Sequence, residues 1–190
     1  MTAARAVIDR GLEIARLLEV DLVYLPSFGA AEMHCAGDIA RTAQLLCYAL
    51  QRSSAAVMIA NENTLSASDA RRLFDAIRDA RARLLFDTQN PSFWGHEPVA
   101  LAAAVADLLA PIVHVKDGHD RKGDALIGAG SANVAATLDA LRCAGFRGSF
   151  IIESDYRAAP DARVKADQRA LRAMLKRAVA GSALSAPPRG

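Results

Sequence analysis

Apolar residues open the chain at helical spacing. Ala6, Val7, Ile14, Leu17 and Leu18 alternate with Arg5, Asp9, Arg10, Glu13 and Arg16, which predicts an amphipathic helix over residues 2–18. The period then shortens: residues 21–25, DLVYL, read as a strand that Pro26 stops. From there the two patterns take turns. A helix is predicted over 38–52, capped by Asp38, with Ile39, Ala43, Leu46, Cys47 and Leu50 as its buried stripe. A strand over 55–62 follows, then a helix capped by Ser66, with Asp69 completing a near capping box and Leu73, Ile77 and Leu84 on its apolar side. Residues 84–87 read as a strand and 89–95 as a loop; Glu97 and Pro98 then open a helix to 109. A strand over 111–116, a polar loop to 130, a helix over 131–144 stopped by Gly145 and a strand over 149–153 come next. A last helix over 161–179 leads into a small, polar tail, 181–190, expected to be disordered.

Strands joined by helical crossovers run parallel, so their C-terminal ends share one edge. Four of the predicted strands end there in ionisable groups: Glu62, Asp87, His114 with Lys116, and Glu153. Alternate residues of a strand share a face, and the parity agrees. Met58 and Ala60 lie below Glu62, Leu85 below Asp87, Ile112 below His114 and Ile151 below Glu153, apolar beneath and ionisable on top. A barrel interior is layered in this way. Three carboxylates and one imidazole make a mostly oxygen donor set, which suits Mn2+ or Mg2+ and admits Co2+ or Zn2+. An open doubly wound sheet would also place a site at the strand C-termini, but it would not need one face to end in ligands on successive strands.

Composition narrows the partner. With 190 residues the chain is read as a single domain over 1–180. Its net charge is +2, from 23 basic and 21 acidic side chains, so no clustered positive field is available for nucleic acid or an anionic membrane surface. A small molecule is the expected partner. Cys35, Cys47 and Cys143 are odd in number and form no CxxC pair, which points to a reducing compartment. The N-terminus lacks the apolar core of a signal peptide, and the longest apolar stretch, 99–115, is broken by Asp107, Pro111 and His114. A cytoplasmic protein is expected.

Four motifs in order carry a resemblance: Asn61-Glu62-Asn63, Phe86-Asp87-Thr88 with Asn90, His114-Val115-Lys116-Asp117 with Gly128-Ala129-Gly130, and Ile152-Glu153. The chain resembles the sugar phosphate isomerase/epimerase family, the xylose isomerase-like TIM barrels, over about residues 2–179. The resemblance implies a divalent metal held by Glu62, Asp87, His114 and Glu153, with Glu62 and Glu153 as the acid/base pair that carries a sugar or sugar phosphate through an enediolate. Asn90, Lys116, His119 and Arg121 are the candidate substrate-binding residues. Asn90 stands where many members have a histidine, so it can hydrogen-bond a hydroxyl but cannot carry a proton.

A closed barrel has eight strands and about 250 residues; five strands are predicted here, the first resembling the family's fourth. The chain therefore reads as an N-terminally truncated barrel, a fragment or a genuine partial one. Its end strands would be open edges that a homodimer could cover. A non-catalytic remnant or interaction module of the same fold is one alternative. An apurinic endonuclease-like phosphodiesterase is another, disfavoured by four histidines and a near-balanced charge. Gly128-Ala129-Gly130 is read as a turn in preference to a phosphate cradle. His34 and His96 are read as surface histidines, and Met58 and Met174 as core.

Overall fold

Helix and strand alternate as the periodicities require. The computed structural model describes residues 2–119 and 121–184, with side chains described as far as residue 176. The elements are α1 (Thr2–Leu17), β1 (Leu22–Tyr24), α2 (Ala36–Arg52), β2 (Met58–Asn61), α3 (Ala67–Ile77) and β3 (Ala82–Asp87). They continue as α4 (Asn90–Phe93), α5 (Pro98–Val105), β4 (Leu109–Val115), α6 (Val134–Cys143), β5 (Ser149–Ile152) and α7 (Pro160–Leu184). Five parallel strands alternating with helices make this a TIM-barrel segment. None of the described helices is long and apolar enough to cross a membrane.

The chain forms two compact units. One is Met1–Phe86 with Asp107–Ala110, the other Asp87–Ala106 with Pro111–Gly190. In the first unit β1, β2 and β3 pair in parallel, with Leu22 opposite Met58 and Ile59 opposite Ala82. Leu22, Ala60, Leu85 and Ala110 pack into one cluster, which is the apolar layer that parity assigned beneath the ionisable ends. On the opposite face Ile59 and Leu84 are buried, and α2 packs on β2, α1 and α3.

In the second unit β4 and β5 pair in parallel, Ile112 with Ser149 and Val115 with Ile152, while α6 packs on α5 and α7. Val113 and Val115 are fully buried, and so are Val105, Val134, Leu138 and Leu141. The other parity of these strands is more open: Ile112 and His114 are half-buried and Ile151 is 45% exposed.

Several boundaries differ from expectation, each for a local reason. Cys35, not Asp38, caps α2; Asp38 sits three residues on and accepts from the Cys35 and His34 N–H groups, the reverse half of a capping box. Ser66 caps α3 as expected, accepting from Asp69 N at 3.2 Å. β4 starts at Leu109, where the end of the preceding helix was expected, and takes in Ala110, which is a core residue of the strand layer. Residues 90–93 form a helical turn where a loop was expected, opened by Asp87, which accepts from the Gln89 and Asn90 N–H groups.

Residues 131–133 stay outside α6. The Ser131 hydroxyl donates to Gly118 O, and Asn133 takes a left-handed φ of 50°. Gly145, at φ 92°, ends α6 where the sequence placed its stop. The tail expected over 181–190 falls partly on α7, and residues 185–190 lie outside the described residues.

Candidate metal centre

Asp87 is the last residue of β3, and its two carboxylate oxygens do different work. Oδ1 accepts from Gln89 N at 2.8 Å and Asn90 N at 2.7 Å, which fixes the plane of the group. Oδ2 lies 3.0 Å from the ammonium of Lys116. That ammonium also reaches Glu153 Oε2, at 2.5 Å, and His114 Nδ1 lies 3.5 Å from the same oxygen. Asp87, His114 and Glu153 each offer one ligand atom, and these atoms lie within 4.8 Å of one another, so the group can hold a metal ion.

The backbone explains why they meet. Glu153 continues the register of β5 by one residue, its N–H donating to Val115 O at 3.0 Å. Thr88 N donates to His114 O at 3.0 Å, and the Thr88 hydroxyl both donates to Lys116 O (2.8 Å) and accepts from Lys116 N (3.1 Å). His114 and Lys116 thus leave β4 on one face with their backbone clamped. Burial works against the Lys116 charge more than any single contact favours it, yet the combined pull of Asp87 and Glu153 raises its pKa. It is an ammonium at neutral pH, with only 8% of its side chain exposed.

Glu62 belongs to the first unit, one residue beyond β2. It is buried, and its Oε2 accepts from the Tyr24 hydroxyl at 2.6 Å. Its two asparagine neighbours hold the chain that leaves β1. Asn61 Nδ2 donates to Leu25 O (2.7 Å) and Ser27 Oγ (2.9 Å), and Asn63 Nδ2 donates to Asn61 Oδ1 (2.9 Å). Sequence reasoning passed over Tyr24, although its parity with Leu22 on a strand facing the same layer was a usable signal.

Asp117 points to the opposite side of β4 and organises the loop beyond. Its carboxylate is buried and accepts four backbone N–H groups, from Gly118 and Ala132 on Oδ1 and from Gly128 and Gly130 on Oδ2. The Gly128 and Gly130 amides of the turn are thereby spent on a protein carboxylate and the Ala129 amide on Leu126 O, as the turn reading requires. A Cβ at Gly130 would stand 2.2 Å from Asp117 Oδ1, so only glycine allows this approach. Gln89, also buried, holds the loop from the other end, accepting from Gly123 N (2.8 Å) and donating to Arg121 O (3.3 Å).

Of the four residues read as substrate contacts, Lys116 lies inside the carboxylate group and Asn90 opens α4 in a buried position beside Asp87. His119 and Arg121 are exposed on the tethered loop, where the Arg121 charge helps to hold the Asp155 carboxyl below its ordinary range, chiefly an effect of Arg157. Lys122 stands 4.3 Å from the Trp94 ring centroid, a cation–π pair.

Known proteins share this arrangement of the chain. A family model described as xylose isomerase-like TIM barrel matches residues 2–174. A curated relative, 2-epi-5-epi-valiolone 7-phosphate 2-epimerase of Actinoplanes sp., is 36% identical over 165 residues, 85% of this chain. The chain spans 61% of that relative's length. Among solved structures, an L-ribulose 3-epimerase superposes with a TM-score of 0.82 at 18% identity, covering 98% of this chain and 72% of its own. IOLI protein with a bound zinc atom gives 0.75 at 15% identity, covering 90% of this chain and 69% of its own.

Proposed function

Because the chain belongs to the xylose isomerase-like TIM-barrel family, we propose that it is a divalent-metal-dependent isomerase or epimerase of a sugar or sugar phosphate. The observation that carries this reading is the convergence of Asp87, His114 and Glu153, with ligand atoms within 4.8 Å of one another. Glu62 is the proposed fourth ligand. An oxygen-rich set with one imidazole fits a hard divalent ion, Mn2+ or Mg2+ before Co2+ or Zn2+. When bound, such an ion supplies Lewis acidity toward the carbonyl and neighbouring hydroxyl oxygens of a substrate.

The remaining chemistry falls to side chains. In this reading Glu153, half-exposed, takes the proton α to the carbonyl, and Glu62, which accepts from the Tyr24 hydroxyl, returns one to the enediolate. Return to the other face gives an epimer; return to the adjacent carbon gives an isomer. Lys116 and Asn90 bind substrate oxygens close to the reacting carbons, and His119 and Arg121 bind a distal hydroxyl or phosphate. A relative named for a 7-phosphate and a 2-epimerisation supports both the phosphate and the choice of epimerisation. The reading takes residues 1–180 as one domain and the cytoplasm as its compartment.

The test is proton exchange. Keto-sugar phosphates and cyclitol-ketone phosphates are incubated with the Mn2+-loaded protein in D2O and followed by NMR. Deuterium is expected to enter at a carbon next to the carbonyl, and exchange is expected to vanish in Glu153→Gln. A second reading, a metal-holding interaction module without turnover, draws on the 46% exposure of the Glu153 side chain, which leaves the acid/base group open to water. Metal binding without exchange on any of these substrates would favour it.

A further inference from the structure

Lys116 places its ammonium directly between two carboxylates of the second unit's candidate site, Asp87 and Glu153. Its ammonium does not point at solvent or at a distant anion. It pairs with Asp87 Oδ2 at 3.0 Å and hydrogen-bonds Glu153 Oε2 at 2.5 Å, while Asp87 Oδ1 is committed to the backbone of Gln89 and Asn90, so on Asp87 it occupies the oxygen that the backbone leaves for a metal. We propose that Lys116 is an internal counter-cation of the metal site: it holds Asp87 and Glu153 together while no metal is bound, competes with the metal for their oxygens, and is released toward the substrate when the metal takes them. The inference rests on the metal-dependent reading above and extends it to how the site is kept assembled and loaded.

The physical argument has two parts. Carboxylates brought within a few ångströms repel, and a buried ammonium between them offsets that repulsion without a metal. A dication sharing the same oxygens meets a like charge at close range, so part of its binding free energy is spent in displacing the ammonium. Removing the charge therefore has opposite effects on the two states. The metal-free site loses its counter-cation, and the metal loses its competitor. Thr88 keeps the Lys116 backbone in place whatever its side chain, through its hydroxyl bonds to Lys116 O and N. The stem can then swing while the strand end stays fixed.

The test compares the parent with Lys116→Met by calorimetric titration with Mn2+ and by thermal melting in a chelator and in saturating Mn2+. Lys116→Met is expected to bind Mn2+ about tenfold or more tightly, to melt lower in the chelator, and to recover the difference in Mn2+. Equal or weaker Mn2+ binding by the variant, with the parent still binding, overturns this inference alone. No Mn2+ binding by either protein overturns the metal reading and the inference together. Should Lys116→Met not fold, the side-chain 15N resonance of Lys116 in the parent is followed as Mg2+ is added. A shift with loss of protection from solvent exchange is expected, and an unchanged resonance at saturation overturns the competition.

Discussion

Glu153 and Asp117 stand within a few residues of the same strand ends and call for opposite behaviour on substitution. Glu153 is half-exposed, so Glu153→Gln is expected to leave the melting temperature nearly unchanged while turnover falls by about 10²–10⁴-fold or more. Undiminished proton exchange in that variant would remove the acid/base assignment. Asp117 is buried with four backbone N–H groups on it, so Asp117→Ala is expected to cost about 3 kcal/mol or more of unfolding free energy, read by urea denaturation. A loss below about 0.5 kcal/mol would contradict the anchoring role. The difference between these residues shows what a sequence discloses. The strand-end positions of Glu62, Asp87, His114 and Glu153 were legible because a residue type and a period of two are both local. The partners of Asp117 lie up to fifteen positions away, and the bonds of Lys116 reach to positions 87 and 153, so nothing in their neighbourhood announces them.

Helix starts are where local chemistry decides most directly. Ser66→Ala removes the hydroxyl that accepts from Asp69 N and is expected to cost about 1 kcal/mol, again by urea denaturation; no change would mean that α3 is held by packing alone. Between α3 and β3, Asp79 holds Arg81, whose guanidinium donates to Leu50 O in the last turn of α2 and to Ser54 O just beyond it. The hydrogen bonds from Arg81 keep the Asp79 carboxyl below its ordinary pKa. A depressed carboxyl adds stability above its unfolded value that is lost as pH falls through the folded one, so the loss lies below about pH 4. Asp79→Asn should flatten acid unfolding in that window, and an unchanged acid profile would contradict the link. The order of helices and strands was readable from period alone. Boundaries were not: Asp38, Leu109 and Asn90 each took an assignment set by a partner outside the local pattern, a backbone amide, a core layer and the Asp87 carboxylate respectively.

Over the whole chain, the parallel βα order marked the barrel class before any coordinate, because only long crossovers let successive strands run the same way. The same reasoning bears on assembly. β5 pairs with β4, and Ile151 on β5 and Tyr24 on β1 are 45% and 38% exposed, so apolar side chains of both strands stand open. A homodimer covering them is the proposed state, and sedimentation is expected to show self-association as concentration rises; a monomer independent of concentration would contradict it. The central claim is nonetheless the metal. Metal content and Mn2+ affinity, measured on the purified chain beside His114→Ala, test it most directly. One divalent ion per chain in the parent and none in the variant is the predicted result, and a parent that binds no divalent ion would contradict the reading of these strand ends as a metal site.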